Sequence, residues 1–194
     1  RKPENAKAKC SSYDWERGLG TCHNCDRSYQ LHTYARKGKV TREYTKPKEI
    51  KKVLVNGKTL DWFNTRDISK ETLDKLKVTQ GPEYKGAEKV FYNIDSIVGH
   101  NDCVIVEGEM DVLALHEAGI TNAISVPNGA TLNSNNLDYL DNCIDYFEDK
   151  EKVILAVDSD EPGQALQREL IRRLGPEVCF LATFDDCKDA NEYL

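Results

Sequence analysis

Four short apolar runs in the second half of the chain, each followed by polar or acidic residues, set the strongest limit on its fold. They are Cys103-Val104-Ile105-Val106, Ala123-Ile124-Ser125-Val126, Val153-Ile154-Leu155-Ala156-Val157 and Val178-Cys179-Phe180-Leu181. Continuous apolar stretches of this length are what strands covered on both faces require. Between the first two runs, Val112, Leu113, Leu115 and His116 belong to a helical stretch that Gly119 closes as a C-cap. Between the second and third, Leu137, Leu140, Ile144 and Phe147 recur every three or four residues, with Ser134 as the expected cap. Gln164 to Leu174 fills the last interval, and Gly175-Pro176 ends it. Strands alternating with helices predict an α/β fold, a parallel sheet with helices on both faces.

Such a sheet puts the carboxyl ends of its strands on one edge, where ligands collect. Acidic clusters fall at those ends: Glu107-Gly108-Glu109-Met110-Asp111 after the first run, Asp158-Ser159-Asp160 after the third, and Lys188-Asp189-Ala190-Asn191 beyond the fourth. Glu107, Asp158 and Asp160 are therefore expected to converge although far apart in sequence. Carboxylates held together repel one another unless a cation neutralises them. Oxygen donors of this kind suit Mg2+ or Mn2+, and Gly108 lets the chain turn sharply beside them. The plainer alternative is that Asp158 and Asp160 cap a helix while the glutamates are solvated. Asp158-x-Asp160-x-x-Gly163 with Glu169 also imitates a calcium loop. Pro162 at its fifth position and the preceding strand exclude that reading.

Charge divides the chain. Residues 1–100 hold 21 Lys and Arg against 13 Asp and Glu, whereas residues 101–194 hold 6 against 20. A basic half suits contact with a polyanion, and an acidic half suits solvation or divalent cations. No apolar run reaches the roughly 18 residues of a spanning helix, so no membrane partner is expected. Seven cysteines with no apolar leader at Arg1-Lys2-Pro3-Glu4 point to reduced thiols or metal ligands, and to the cytoplasm.

The basic half is less regular. Ser11 to Trp15 and Leu19 to Thr21 read as short strands beside Cys22-His23-Asn24-Cys25, half of a zinc knuckle. Within the chain, Cys10 and His32 are possible completing ligands, and ordinary buried thiols are the alternative. Residues 34–60 read as a basic linker, with Asn56-Gly57 as a turn. Trp62 to Val78 reads as mostly helical, with Ser69 capping a stretch that carries Leu73 and Leu76 on one face.

Taken in order, V-I-V-E-G-E-M-D, V-P-N-G-A, V-I-L-A-V-D-S-D-E-P-G and K-D-A-N-E closely resemble the Toprim domain. More narrowly, they resemble the primase half of the phage and Twinkle-type primase-helicases. The resemblance implies a Toprim catalytic domain at residues 100–194, a zinc-ribbon remnant at 1–33, a linker at 34–60 and a basic part of the primase core at 61–99. It implies template-directed RNA primer synthesis on single-stranded DNA from ribonucleoside triphosphates, beside a replicative helicase, in a bacterial or phage-infected cell near the nucleoid. Catalytic Mg2+ or Mn2+ would be held by Glu107, Asp158 and Asp160, with Asp189 and Asp111 as further candidates. Lys188, Asn128 and Gly129 would meet the nucleotide. K-C-S-S-Y-D-W-E-R-G-L-G-T-C-H-N-C-D resembles the second half of the family's ribbon. That implies Zn2+ on Cys22 and Cys25, with partner ligands upstream, in a ribbon that recognises template DNA.

W-F-N-T-R-D-I-S-K-E-T-L resembles the family's R-G-I-S segment, with Asp67 where glycine is usual, and a structural role is expected of Arg66. Near Tyr84–Gly86 the family has a further stretch rich in Tyr, Arg and Lys, so residues are expected to be missing there. Nothing resembles a Walker phosphate loop, so no helicase motor is expected in this chain. Two other readings share the motifs: a Toprim nuclease, against which the basic half argues, and an inert Twinkle-like DNA-binding module, against which the intact acidic residues argue.

Overall fold

The computed structural model describes residues 11–14, 19–22, 28–30, 53–81, 88–130, 137–182, 187 and 189–193. In the amino-terminal part, β1 (Ser11–Asp14), β2 (Leu19–Cys22) and β3 (Ser28–Gln30) form an antiparallel sheet in that order. Tyr13 and Tyr29 both stand in register with Gly20.

Further along, β4 (Val53–Leu54) pairs antiparallel with β5 (Thr79–Gln80), and α1 (Gly57–Asn64) and α2 (Lys70–Lys75) lie between them in sequence. Strand β4 and the start of α1 thus fall within the tail of the expected linker. The Asn56-Gly57 pair proves to be a helix start, since Asn56 is the extended N-cap of α1. The mostly helical stretch expected over Trp62–Val78 holds the end of α1 and the whole of α2. Asp67 sits at φ +57°, a left-handed conformation that ends a helix and that Asp tolerates better than most residues. Ser69 then restarts the chain as expected: its hydroxyl oxygen accepts the Thr72 N–H at 3.2 Å, and Glu71 stands in the first turn.

The second half carries β6 (Asp102–Val106), α3 (Glu109–Glu117), β7 (Ala123–Ser125), α4 (Asp138–Cys143), β8 (Lys152–Leu155), α5 (Glu161–Leu174), β9 (Cys179–Leu181) and α6 (Ala190–Tyr193). Its strands form one parallel sheet in the order β7-β6-β8-β9. Alternate residues along β6 supply the two faces. Cys103 and Ile105 pack with Phe91, Ile124, Leu140, Leu155, Leu166 and Leu170, whereas Val104 and Val106 pack with Val112, Leu115, Ala156 and Ala190. Asp111 to Leu115 are buried all round α3, because Leu113 and Ala114 turn away from the sheet onto Val55, Phe63, Ile68 and Leu73. A helix apolar on every side needs cover on every side, and α1 and α2 supply it.

Two helices differ from expectation. The pattern Leu137–Phe147 is divided: α4 has Leu137 as its N-cap, and Ile144–Phe147 tighten into a 3-10 turn; Ser134 lies outside the described residues. Helix α5 starts three residues earlier than Gln164, because Asp160 caps it and Pro162 occupies its first turn, where no N–H is needed.

The strand order fixes where a ligand can bind. From β6 the chain crosses to β7 on one side, and from β8 it crosses to β9 on the other. Connections leaving adjacent strands in opposite directions open a crevice between their carboxyl ends. Here that crevice lies beyond Val106 and Leu155, where the E-G-E-M-D and D-S-D segments begin.

Candidate active site

Glu107 follows β6 directly and is half-buried at the mouth of this crevice. Its Oε1 accepts the backbone N–H of Asp158 at 2.9 Å, joining the two segments across the switch point. A second N–H, from Ala130, reaches the same carboxylate from the loop after β7. Asn128 and Gly129 in that loop both have φ +67° and are exposed at the same sheet edge. Burial raises the pKa of Glu107. The Asp158 N–H opposes that shift, and the charges of Asp158 and Asp160 add to it. Those contributions bring Glu107, Asp158 and Asp160 within electrostatic reach of one another.

Asp160 is exposed and performs the cap that the plainer reading gave it, its Oδ1 accepting the Gly163 N–H at 2.9 Å. One of its oxygens is therefore committed to α5. Gly163, which no motif singled out for its size, holds this geometry together. It is buried, and a Cβ there would stand 2.5 Å from Glu107 Oε1 and 2.9 Å from the Asp158 carbonyl carbon. Only glycine lets the first turn of α5 approach both acidic segments so closely.

Asp111 is 8% exposed. Its Oδ2 accepts the Gly108 N–H at 3.1 Å, tying the side chain back to the N-cap of α3, and the carboxylate also accepts the backbone N–H of Asn191. Burial, then the charge of Asp189, push its pKa up to about 6. Asp189 Oδ1 accepts the Glu192 N–H at 2.8 Å and so starts α6. Asn191 reaches the other way, its Oδ1 accepting Arg66 Nη1 at 2.8 Å. Asp111 and Asp189 were separate candidates in the sequence, which offered no sign of Asn191 between them and Arg66.

The shift at Asp111 has a testable sign. A folded-state pKa raised above the unfolded value of 3.8 gives stability that is present in full below about pH 4 and lost as pH rises through about 6. The loss corresponds to roughly 2–3 kcal/mol. In chelator-treated protein, Asp111→Asn is expected to remove this component. Urea unfolding at a series of pH values should then show the variant gaining on the wild type by about 2 kcal/mol between pH 4 and pH 7. Parallel stability curves would place the Asp111 carboxyl in a more polar setting than its burial indicates.

Among the described residues, no three His, Cys, Asp or Glu side chains form a ready cage for a metal. Mg2+ does not require one: it commonly takes one or two protein carboxylates and keeps several waters. The half-buried Glu107, drawn to the Asp158 backbone beside further carboxylates, has donor chemistry that fits such an ion. Lys188 and Cys25 lie outside the described residues, as do Cys10, His32 and the expected interruption near Tyr84–Gly86; Cys22 closes β2. No helix among the described residues is long and apolar enough to cross a membrane.

Residues 104–194 match the Toprim-like family. A primase homolog protein of Arabidopsis thaliana is 33% identical over 204 residues, covering 81% of this chain and 60% of that protein. The chloroplastic and mitochondrial Twinkle homolog protein of Arabidopsis thaliana is 33% identical over 181 residues, covering 69% of this chain and 26% of its own. The chain therefore spans less than two thirds of either relative. The first alignment is longer than the chain itself, so the homolog carries residues within it that this chain lacks. Among solved structures, the primase fragment of the bacteriophage T7 primase-helicase protein superposes with a TM-score of 0.55 at 22% identity. It covers 91% of this chain and 86% of that fragment, a likeness of fold.

Proposed function

We propose that this chain, whose residues 104–194 match the Toprim-like family, acts in DNA replication as a primase of the phage and Twinkle type, joining ribonucleotides on a single-stranded DNA template. The observation that carries this reading is the junction of Glu107 with Asp158 at the topological switch point of the parallel sheet, beside Asp160. Glu107, Asp158 and Asp160 would hold Mg2+, with Asp189 and Asp111 as further ligands or supports. When bound, Mg2+ would neutralise triphosphate oxygens and lower the pKa of the attacking 3′-hydroxyl.

The chain's own residues do the positioning. Two backbone N–H groups orient the Glu107 carboxylate, and Gly163 leaves room for it. Asn128 and Gly129, on the loop whose Ala130 touches Glu107, stand where a nucleotide would enter, and Lys188 would neutralise a phosphate. The basic half would follow the template backbone. Cys22 and Cys25, with ligands upstream, would hold Zn2+ in the intact ribbon, and a helicase domain or subunit would supply the moving fork.

The test is primer synthesis by the full-length protein on single-stranded DNA with labelled ATP and CTP, unlabelled nucleotides and Mg2+. An Asp158→Ala/Asp160→Ala double mutant serves as the blank. Because Asp160 also caps α5, the double mutant's thermal melt is recorded beside it. Short RNA products that vanish in the folded double mutant are expected. Cleavage of DNA without added nucleotides would favour a Toprim nuclease instead. DNA binding with no synthesis on varied templates would favour an inert Twinkle-like module.

A further inference from the structure

We propose that Arg66 is a positioning residue for the acidic edge, acting through Asn191 to hold α6, and with it Asp189, against the start of α3. Helix α6 has four residues, too few to be stable by its own hydrogen bonds. Its fixed points are therefore decisive. Ala190 is buried against Val112 and Leu115, and the Asn191 N–H is accepted by Asp111. A further hold is Arg66: its Nη1 donates to Asn191 Oδ1 at 2.8 Å, and Asn191 Nδ2 donates back to the Arg66 carbonyl at 3.5 Å. Asn191 is thus a joint, its backbone on the acidic edge and its side chain on the turn after α1.

Arg66 is itself constrained. Its guanidinium lies 4.8 Å from the centroid of the Trp62 ring. A planar guanidinium can lie over a ring face while donating from its edge, and a lysine ammonium cannot do both in the same way. Phe63 packs edge-on to Trp62 at 5.0 Å and belongs to the cluster that seats α1 on Leu113 and Ala114. The path from the basic subdomain to Asp189 is consequently a chain of direct contacts: Phe63, Trp62, Arg66, Asn191.

This inference rests on the reading of the acidic edge as a divalent-cation site, and the sign of the outcome separates it from its competitors. A cation that acted on this edge only through its charge would repel a divalent ion, so its removal would tighten metal binding. An arginine reserved for substrate phosphates would leave binding of the metal alone unchanged. A positioning residue, when lost, weakens it.

The experiment titrates Mn2+ alone into the full chain by electron paramagnetic resonance, without nucleotide. Arg66→Ala, Arg66→Lys, Asn191→Ala, the Arg66→Ala/Asn191→Ala double mutant and Asp158→Ala are compared with the wild type. Arg66→Ala and Asn191→Ala are each expected to raise the Mn2+ Kd about tenfold, as losses behind a metal ligand do. The double mutant should be no weaker than either, since both remove one contact, and Arg66→Lys should not restore affinity. Thermal melts check folding; if Arg66→Ala fails to fold, Asn191→Ala decides. Unchanged or tighter Mn2+ binding in the folded variants, with Asp158→Ala weakened, overturns the positioning role. Binding that Asp158→Ala does not weaken overturns the reading of the acidic edge itself.

Discussion

A single methyl group at Gly163 is expected to cost the site on the order of a hundredfold in rate although no acidic residue is replaced. In Gly163→Ala the new Cβ would collide with the Asp158 carbonyl oxygen, besides standing 2.5 Å from Glu107 Oε1 and 2.9 Å from the Asp158 carbonyl carbon. Two of those atoms are backbone, which cannot swing aside as the end of a long side chain would. The first turn of α5 must therefore lift, straining the bond from the Gly163 N–H to Asp160 and pulling on the one from the Asp158 N–H to Glu107. Overpacking of this kind costs about 3 kcal/mol, and misplacement of a reacting centre by about 1 Å costs on the order of a hundredfold in rate. Urea unfolding and primer synthesis read the two effects separately.

Gly119→Ala is the matching control. Gly119 has φ +85° with nothing within 4 Å of an added Cβ, so alanine there meets only backbone strain of about 1 kcal/mol. It should leave synthesis unchanged. Wild-type activity in Gly163→Ala would mean that the catalytic arrangement does not depend on the close approach of α5.

The contrast between these glycines also marks what could be read from the sequence. Gly119 was legible because a C-cap is a local event: an apolar period ends and a left-handed residue follows. The parallel sheet was legible for a similar reason, since each strand carries its own apolar run, although the edge strand β9 leaves Phe180 and Leu181 exposed rather than covered on both faces. Glu107 and Asp158 could be brought together in advance because strand ends share an edge whatever the side chains do. Gly163 was not legible as a contact residue. Its reason for being glycine is a carboxylate 56 positions earlier in the chain and a carbonyl reached by the turn of α5. Asn191 was hidden likewise, because its partners Arg66 and Asp111 come from two other segments. The break between α1 and α2 was legible on one side only: Ser69 announces the start of α2, whereas Asp67 stands in a left-handed position that Asp takes too rarely to announce the end of α1. Asp160 shows the limit of opposed readings, for it was weighed as either cap or ligand, and the structure commits one oxygen to the cap and leaves the second out of that bond.

Glu107→Gln is expected to separate folding from function at the same position. The glutamine carbonyl oxygen can still accept the N–H of Asp158, so the link across the switch point is kept. What disappears is a negative charge that burial disfavours and that Asp158 and Asp160 oppose. In metal-free buffer at neutral pH the variant should therefore melt at a higher temperature than the wild type. Mn2+ affinity and primer synthesis should fall by at least about a hundredfold, because a direct ligand cannot matter less than the outer partners that orient it, whose loss costs tenfold to a hundredfold. If Glu107 served only to bridge β6 and α5, both properties would survive, since the bridge survives. A gain in melting temperature together with loss of metal and of synthesis would mean that the wild-type chain tolerates electrostatic repulsion at this edge because the cation that relieves it is the one the reaction uses.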